Sequence, residues 1–136
     1  MPTLPWTGPR GAEVATAPAL VMASRFELKG YRDVPGFLLA ALRIRRQMLK
    51  SPGVVGVSLI SQPLRKTFYT LSAWRDRDAL DAAVVAQPHA ATMAKYRTRT
   101  NDSAFTFWEH SPDTPPGWPE AHRRLDEVVR ARTQTA

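Results

Sequence analysis

The chain has 136 residues, of which 43% are hydrophobic, with a formal net charge of +7 and no cysteine. This length favours a single domain that is large enough to bury a hydrophobic core. The absence of cysteine excludes disulfide bonds, a thiol nucleophile, and metal or iron–sulfur sites held by thiolates. The positive charges are dispersed along the chain, which argues against specific nucleic-acid binding.

The sequence gives no indication of a membrane protein. No hydrophobic stretch approaches the length of a membrane-spanning helix. The first ten residues, MPTLPWTGPR, contain three prolines and lack the basic and apolar regions of a secretory signal. We therefore expect a cytoplasmic protein without a membrane partner.

The ends of the chain differ in character from its centre. Residues 1–19 contain four prolines and no hydrophobic period, so we predict an irregular N-terminal arm in which Trp6 is a packing anchor. A folded domain is predicted for residues 20–110. A Pro-rich connector over residues 111–119 and an amphipathic C-terminal helix and tail over residues 120–136 follow it.

Hydrophobic periodicity within the domain predicts strands at residues 20–28, 54–60, 68–74 and 103–109. It predicts one helix from Val34 to Lys50, with Asp33 as its N-cap, and a second helical region that begins after Asp76. This βαββαβ order is typical of a ferredoxin-like α+β fold, with a four-stranded antiparallel sheet and both helices on one face.

The second face of the predicted sheet is also apolar. In the first strand, for example, Leu20 and Met22 point to one side while Val21 and Ala23 point to the other. Two helices cover only one face, and monomers rarely expose a large apolar patch. We therefore predict a homodimer in which two sheets pack face to face.

The stretch from Phe68 to Met93 contains a strand, a helix, Pro88 and His89. Pro88 fits the first position of a new helical turn, which places His89 at a helix start. The backbone dipoles there favour a neutral imidazole that can act as a base or a ligand. His89, Met93 and Tyr96 share one helix face because they follow i, i+4 and i+7 spacing. The alternative role for His89 is structural, as a helix cap or a partner of a nearby carbonyl.

Aromatic and other large side chains can line a pocket for a flat apolar substrate. We predict substrate-binding roles for six residues: Trp74, Tyr69, Met93, Phe105, Phe107 and Trp108. Strand aromatics are more often core residues, which is the alternative for each.

Arg25 is a polar residue in an otherwise apolar strand segment. It either pairs with Glu27 or another carboxylate, or offers a cation to a substrate oxygen.

The sequence lacks the common nucleotide-binding, hydrolase and metalloprotease motifs GxGxxG, GxxxxGK, GxSxG and HExxH. The spacing of His89, His110 and His122 does not suggest a shared metal site, so no metal site is predicted. His110 and His122 are expected at the surface.

The residues TLSAWRDRDALDA, followed by PHAATM, resemble the dimeric α+β barrel superfamily, which includes the antibiotic biosynthesis monooxygenases. The succession of strand, tryptophan, acidic cap, helix and histidine over residues 70–89 is most similar to the spheroidene-monooxygenase-like and DUF3291-type branch. The opening PTLPW is similar to the DUF3291-type proteins. Members of the superfamily include cofactor-free oxygenases, haem proteins, isomerases and cyclases. The resemblance therefore implies one fold but leaves several reactions open.

The resemblance implies a secondary-metabolism enzyme, such as one of antibiotic biosynthesis, that acts on a hydrophobic aromatic or polycyclic substrate. The leading hypothesis is a monooxygenase without a cofactor, because a deprotonated substrate can itself react with oxygen. His89 is then the base, and Tyr96 and Arg25 complete the predicted catalytic set. The alternatives are a haem-binding monooxygenase ligated by His89, a cyclase or isomerase, and a non-catalytic small-molecule-binding or assembly module.

Overall fold

A five-stranded antiparallel sheet forms the centre of the fold. The structure, a computed structural model, describes residues 3–8, 18–87, 89–111 and 115–135. The strands, which lie in the order β1-β3-β4-β2-β5 across the sheet, are β1 (Thr3–Thr7), β2 (Ala19–Leu28), β3 (Val54–Gln62), β4 (Thr67–Trp74) and β5 (Thr100–His110). The predicted ferredoxin-like α+β class is confirmed, and one further strand extends the sheet.

The helices lie on both sides of this sheet. They are α1 (Val34–Leu49), α2 (Arg77–Val85), α3 (His89–Tyr96) and α4 (Trp118–Thr135). Buried residues of α1 and α2 pack on one face, against Met22, Val57 and Trp74. On the other face α4 packs through Ala121 and Leu125. Among the described residues, no helix is long and apolar enough to cross a membrane.

The additional strand β1 lies within the predicted N-terminal arm. It pairs with the outer edge of β3, where Thr3 lies opposite Ile60. Trp6 packs directly over Gly56, where a Cβ atom would overlap the indole ring. The packing role of Trp6 is therefore confirmed. The prediction that the arm contains no regular element is wrong for residues 3–7, because the free edge of β3 provides hydrogen-bond partners that local sequence does not reveal.

The two predicted acidic N-caps have different outcomes. Asp76 caps α2, since its side chain accepts a hydrogen bond of 2.8 Å from the Ala79 N–H. This bond lowers the pKa of Asp76 below its ordinary value. Asp33 occupies the predicted N-cap position of α1, but its side chain makes no capping hydrogen bond and instead forms an ion pair of 2.8 Å with Arg99.

The second sheet face is covered by the chain's own C-terminal helix. Leu125 of α4 is fully buried in a cluster with Val21, Leu71 and Trp108 from the sheet. The premise that this face needs a second subunit is therefore wrong, because the apolar stripe of the last helix docks on it. The homodimer itself stays a prediction.

Candidate active site

A cavity of about 280 Å³ lies between the sheet and helices α1, α2 and α3. Its walls are largely apolar and include Met22, Phe26, Phe37, Leu80 and Met93. An apolar cavity of about 150 Å³ is large enough to hold benzene. The volume here therefore suits a ligand of about two fused rings.

His89 is a titratable base in the cavity wall. It is the first residue of α3 and is 9% exposed. Its Nδ1 atom lies 3.1 Å from the Val84 carbonyl oxygen, so Nδ1 carries the hydrogen and donates it. In the neutral ring this assignment leaves the lone pair on Nε2, which can accept a proton from a ligand.

The environment keeps the His89 ring neutral. Burial lowers the pKa of His89 below its ordinary value of 6.5, and the hydrogen bond to Val84 partly opposes this effect. Burial is therefore the main reason why the His89 imidazole favours its neutral form, which the sequence predicts from the helix dipole. Pro88, on which the sequence-based argument depended, lies outside the described residues.

Gln47 of α1 connects His89 to two other helices. Its Oε1 atom accepts a hydrogen bond of 3.0 Å from the His89 backbone N–H, and its Nε2 atom donates one of 2.9 Å to the Ala83 carbonyl of α2. Both polar ends of one side chain are therefore occupied. Gln47 fixes the position at which α3 begins, and with it the position of the His89 ring.

Three hydroxyl groups form a polar strip on the sheet side of the cavity. Ser24 of β2 and Thr70 of β4 are hydrogen-bonded to each other through their side chains. Ser72 of β4 accepts a hydrogen bond of 2.9 Å from the indole N–H of Trp74. All three hydroxyl residues line the cavity. We call Ser24, Thr70 and Ser72 the polar floor.

Two phenylalanines of the edge strand β5 mark the exposed side of the cavity. Phe105 and Phe107 both line it and remain 42% and 41% exposed. The Arg77 guanidinium lies 4.8 Å from the centre of the Phe107 ring and 3.0 Å from a carboxylate oxygen of Asp81. This side of the cavity therefore combines aromatic surface with a cation that is already paired.

Four of the predicted site residues meet at this cavity: His89, Met93, Phe105 and Phe107. Trp74 lies directly behind it as a fully buried core residue that reaches the cavity through its bond to Ser72. Tyr96 lies in an adjoining cleft, where its ring packs edge-on against Phe37 at 4.9 Å.

The remaining three predicted site residues lie on the opposite sheet face. Tyr69 packs against His122 of α4 at 4.8 Å between ring centres. The Trp108 ring lies 4.7 Å from the Arg124 guanidinium. Arg25 forms ion pairs of 3.3 Å with both Glu27 and Asp102, which is the structural alternative considered for it. None of the three lines the cavity between the sheet and the first three helices.

Ligand groups for a metal are sparse. Within the described part of the chain, no three histidine, aspartate or glutamate side chains are grouped so that they could hold a metal ion. His89 is the residue that could ligate a haem iron, because a ring whose Nδ1 donates to a carbonyl has the orientation of a metal-ligating histidine. His110 at the end of β5 and His122 on α4 are half-buried, and neither lines the cavity.

Comparison with known proteins finds similarity in structure. No protein-family model and no curated protein matches the sequence. SnoaB, a cofactor-independent oxygenase from Streptomyces nogalater, superposes with a TM-score of 0.57 at 19% identity, covering 74% of this chain and 100% of that one. Rv0793 from Mycobacterium tuberculosis superposes with a TM-score of 0.60 at 13% identity, covering 74% and 97%. An antibiotic biosynthesis monooxygenase gives a TM-score of 0.59 at 15% identity, covering 71% and 99%.

This chain shares the fold of these solved structures. The α+β fold that the sequence resemblance implied is thereby confirmed, and the spheroidene-monooxygenase-like subtype stays a prediction. At these identities the reaction must be argued from the chain's own residues, because one fold carries many chemistries.

Sequence reasoning missed the polar floor and Gln47. Thr70 and Ser72 stand between Phe68 and Trp74 on the inward side of β4, and a hydroxyl on a core-facing position is a usable signal. Gln47 carried no comparable signal. Its two partners are 36 and 42 residues away in sequence, so only the packed helices reveal its role.

Proposed function

We propose that the protein is a cofactor-independent monooxygenase that oxidises a hydroxylated or keto-substituted aromatic molecule of about two rings. The observation that carries this proposal is the contact between His89 Nδ1 and the Val84 carbonyl, which leaves Nε2 as the basic nitrogen of a ring that lines a largely apolar cavity. The fold shared with SnoaB supports it, since that protein is a cofactor-independent oxygenase.

The chemistry needs only proton transfer and charge stabilisation by the protein. Nε2 of His89 takes a proton from an acidic C–H or O–H group and leaves an electron-rich enolate or phenolate. This anion reduces oxygen directly. When a CH₂ group becomes a carbonyl, one oxygen atom enters the product and the other leaves as water with the two hydrogens. Exclusion of water by the apolar walls protects the reactive anion.

Oxygen uptake tests the proposal. Hydroxynaphthalenes and tetralones are suitable two-ring substrates for an oxygen-electrode assay. We expect His89→Gln to reduce kcat/KM by about 10²–10⁴-fold, the usual contribution of a general base. The wild-type rate should rise with pH through the lowered pKa of His89, with a midpoint below 6.5. His122→Gln, which alters a histidine on the other sheet face, should retain the wild-type rate.

Two results would contradict the proposal. One is full activity in a folded His89→Gln variant. The other is saturable binding of these aromatics to the wild-type protein with no oxygen uptake, which would favour the non-catalytic binding module instead. Proton transfer without oxygen uptake would favour an isomerase or cyclase.

A haem-binding monooxygenase is the second candidate, and the carbonyl-bound Nδ1 of His89 favours it because that orientation suits iron ligation through Nε2. Haem would supply the oxygen-activating chemistry. His89 would hold it, and because a macrocycle of four pyrrole rings is larger than the cavity, part of it would extend past the exposed Phe105 and Phe107. Addition of haem should then produce a Soret band that is lost in His89→Ala and retained in His122→Ala. Absence of any Soret band after addition of haem would remove this candidate.

We also propose that the protein acts as a homodimer in the cytoplasm, as the fold of the dimeric α+β barrels implies. The covered second face means that such a dimer must form around α4 or through another surface. Size-exclusion chromatography with light scattering measures the state directly. A monomer at micromolar concentration would refute the dimer.

A further inference from the structure

The polar floor has more hydrogen-bond donors than the protein uses. Ser24 and Ser72 are each 1% exposed, and together with Thr70 they line a largely apolar cavity. Buried hydroxyl groups in folded proteins are nearly always hydrogen-bonded, because an unpaired buried polar group is costly. The hydrogen-bond partners of these three hydroxyls therefore indicate which ligand groups the cavity can bind.

Each hydroxyl has one hydrogen to donate and two lone pairs that accept. One hydrogen is used in the bond between Ser24 and Thr70. Ser72 accepts from the Trp74 indole, so that bond uses a lone pair and leaves the Ser72 hydrogen unused. Two of the three hydrogens thus have no acceptor within the described part of the chain. A ligand oxygen over the floor would supply the missing acceptor.

We propose that the polar floor is a subsite for a carbonyl or oxyanion oxygen of the ligand, with Ser72 as its principal donor. The identity of the ligand as a substrate rests on the proposed function. The number of unused hydroxyl hydrogens in the polar floor does not depend on that proposal. Trp74 acts as a positioning residue. Its N–H holds the Ser72 oxygen and polarises the hydroxyl, so the chain from Trp74 through Ser72 to the ligand strengthens the final bond.

The placement of the floor complements that of His89. His89 belongs to the helical wall of the cavity, whereas Ser24, Thr70 and Ser72 belong to the sheet. A ligand lying between these walls would lose a proton to His89 and keep the resulting negative charge at the floor. Preorganised donors in an apolar site stabilise such a charge more strongly than water-exposed ones do. The floor therefore selects ligands that carry an ionisable oxygen.

Binding of 2-naphthol in the absence of oxygen tests this subsite without any turnover. Its absorbance distinguishes the neutral form from the anion, so a pH titration gives the pKa of the bound probe. We expect the wild-type protein to lower that pKa relative to free 2-naphthol, and Ser72→Ala to return it upward by about one unit, as expected for loss of a charge-assisted hydrogen bond. Ser61→Ala is the matched control, because Ser61 is also a buried serine but does not line the cavity.

Ser72→Ala leaves the Trp74 N–H without its partner, so Ser72→Ala/Trp74→Phe and Thr70→Val serve as further variants if folding suffers. An unchanged pKa of bound 2-naphthol in the folded floor variants would overturn the assignment, as would failure of the wild-type protein to bind the probe. Oxygen uptake and the probe pKa, both measured on the wild-type protein, separate this proposal from the proposed function. Absence of oxygen uptake with a lowered probe pKa would reject the proposed function and leave the subsite intact, while oxygen uptake with an unshifted probe pKa would reject the subsite alone.

Discussion

His89 shows how one side chain can satisfy a structural and a chemical role together. Its Nδ1 atom binds the Val84 carbonyl, as a purely structural histidine would. The same bond fixes the tautomer and leaves Nε2 as the acceptor nitrogen of a ring that lines the cavity. The two roles considered from sequence are therefore compatible, because each uses a different ring nitrogen.

The buried neutral ring predicts a specific dependence of stability on pH. The unfolded chain takes up a proton at His89 near pH 6.5, whereas the pKa of the folded state lies lower. Between these values the unfolded state binds more protons, so the free energy of unfolding falls as the pH decreases from 6.5 through the folded pKa. Above pH 6.5 His89 is mainly neutral in both the folded and the unfolded state, so the free energy of unfolding does not suffer this loss.

Urea denaturation at several pH values between about 7 and 5 measures this effect. We expect His89→Gln to remove part of the decline in the free energy of unfolding, and His122→Gln to retain the wild-type slope. Identical pH slopes for wild type and His89→Gln would contradict the assignment of a lowered pKa to His89.

Gln47 and Gln87 provide a matched pair for testing how His89 is positioned. Both accept a hydrogen bond of 3.0 Å from a backbone N–H of α3, Gln47 from His89 and the exposed Gln87 from Ala91. We expect Gln47→Ala to lower kcat by up to about 100-fold with a small change in KM, because a base displaced by about 1 Å transfers protons poorly. Gln87→Ala should leave kcat unchanged. Steady-state kinetics with a pH profile decides, and equal kcat values for the two variants would exclude the positioning role.

At the scale of elements, β1 depends on a close contact with β3. Gly56 has no side chain, and the Trp6 ring occupies the space that a Cβ atom would take. A methyl group at this position must move either the indole or the strand. The edge of the sheet is thus held by side-chain packing as well as by backbone pairing.

Gly56→Ala is therefore expected to lower the free energy of unfolding by about 1–3 kcal/mol, the range typical of overpacking. Gly30→Ala is the control, since a Cβ atom at Gly30 would meet nothing within 4 Å. Urea denaturation of both variants provides the comparison. Equal stability of the two would show that Trp6 does not pack on Gly56 in solution.

How well these elements can be predicted depends on how far apart in sequence their interacting residues lie. Strands and helices within residues 20–110 follow local periodicity, and the Asp76 cap uses a group three residues away, so both could be predicted. The pairing of β1 with β3 joins residues that are 50 to 57 positions apart, and no local pattern in a Pro-containing arm indicates it. Phe105 and Phe107 lie on the opposite face of β5 from Trp108, as strand alternation requires, but alternation alone does not tell which face borders the cavity.

At the scale of the whole molecule, α4 completes the second layer of the fold. Leu125 is 1% exposed and packs among residues from the central strands. Its environment resembles that of a core residue, although it belongs to a helix beyond the Pro-rich connector. The C-terminal helix is consequently part of the hydrophobic core.

Leu125→Ala should lower the free energy of unfolding by about 2–5 kcal/mol, as for other buried leucines. Leu64→Ala is the matched control because Leu64 is 87% exposed, and we expect a change within about 0.5 kcal/mol. Denaturant titration compares the two. A small effect at Leu125 would indicate that α4 is not docked on this face.

The distribution of the tryptophans has a practical consequence. Trp6, Trp108 and Trp118 all pack in the cluster on the α4 side of the sheet, whereas Trp74 alone of the four lies behind the cavity and contacts the Ser72 hydroxyl. A ligand that engages Ser72 changes the surroundings of one indole and leaves the other three as a constant background. The protein thus carries an intrinsic fluorophore that reports cavity occupancy, and Trp74→Phe would abolish that signal.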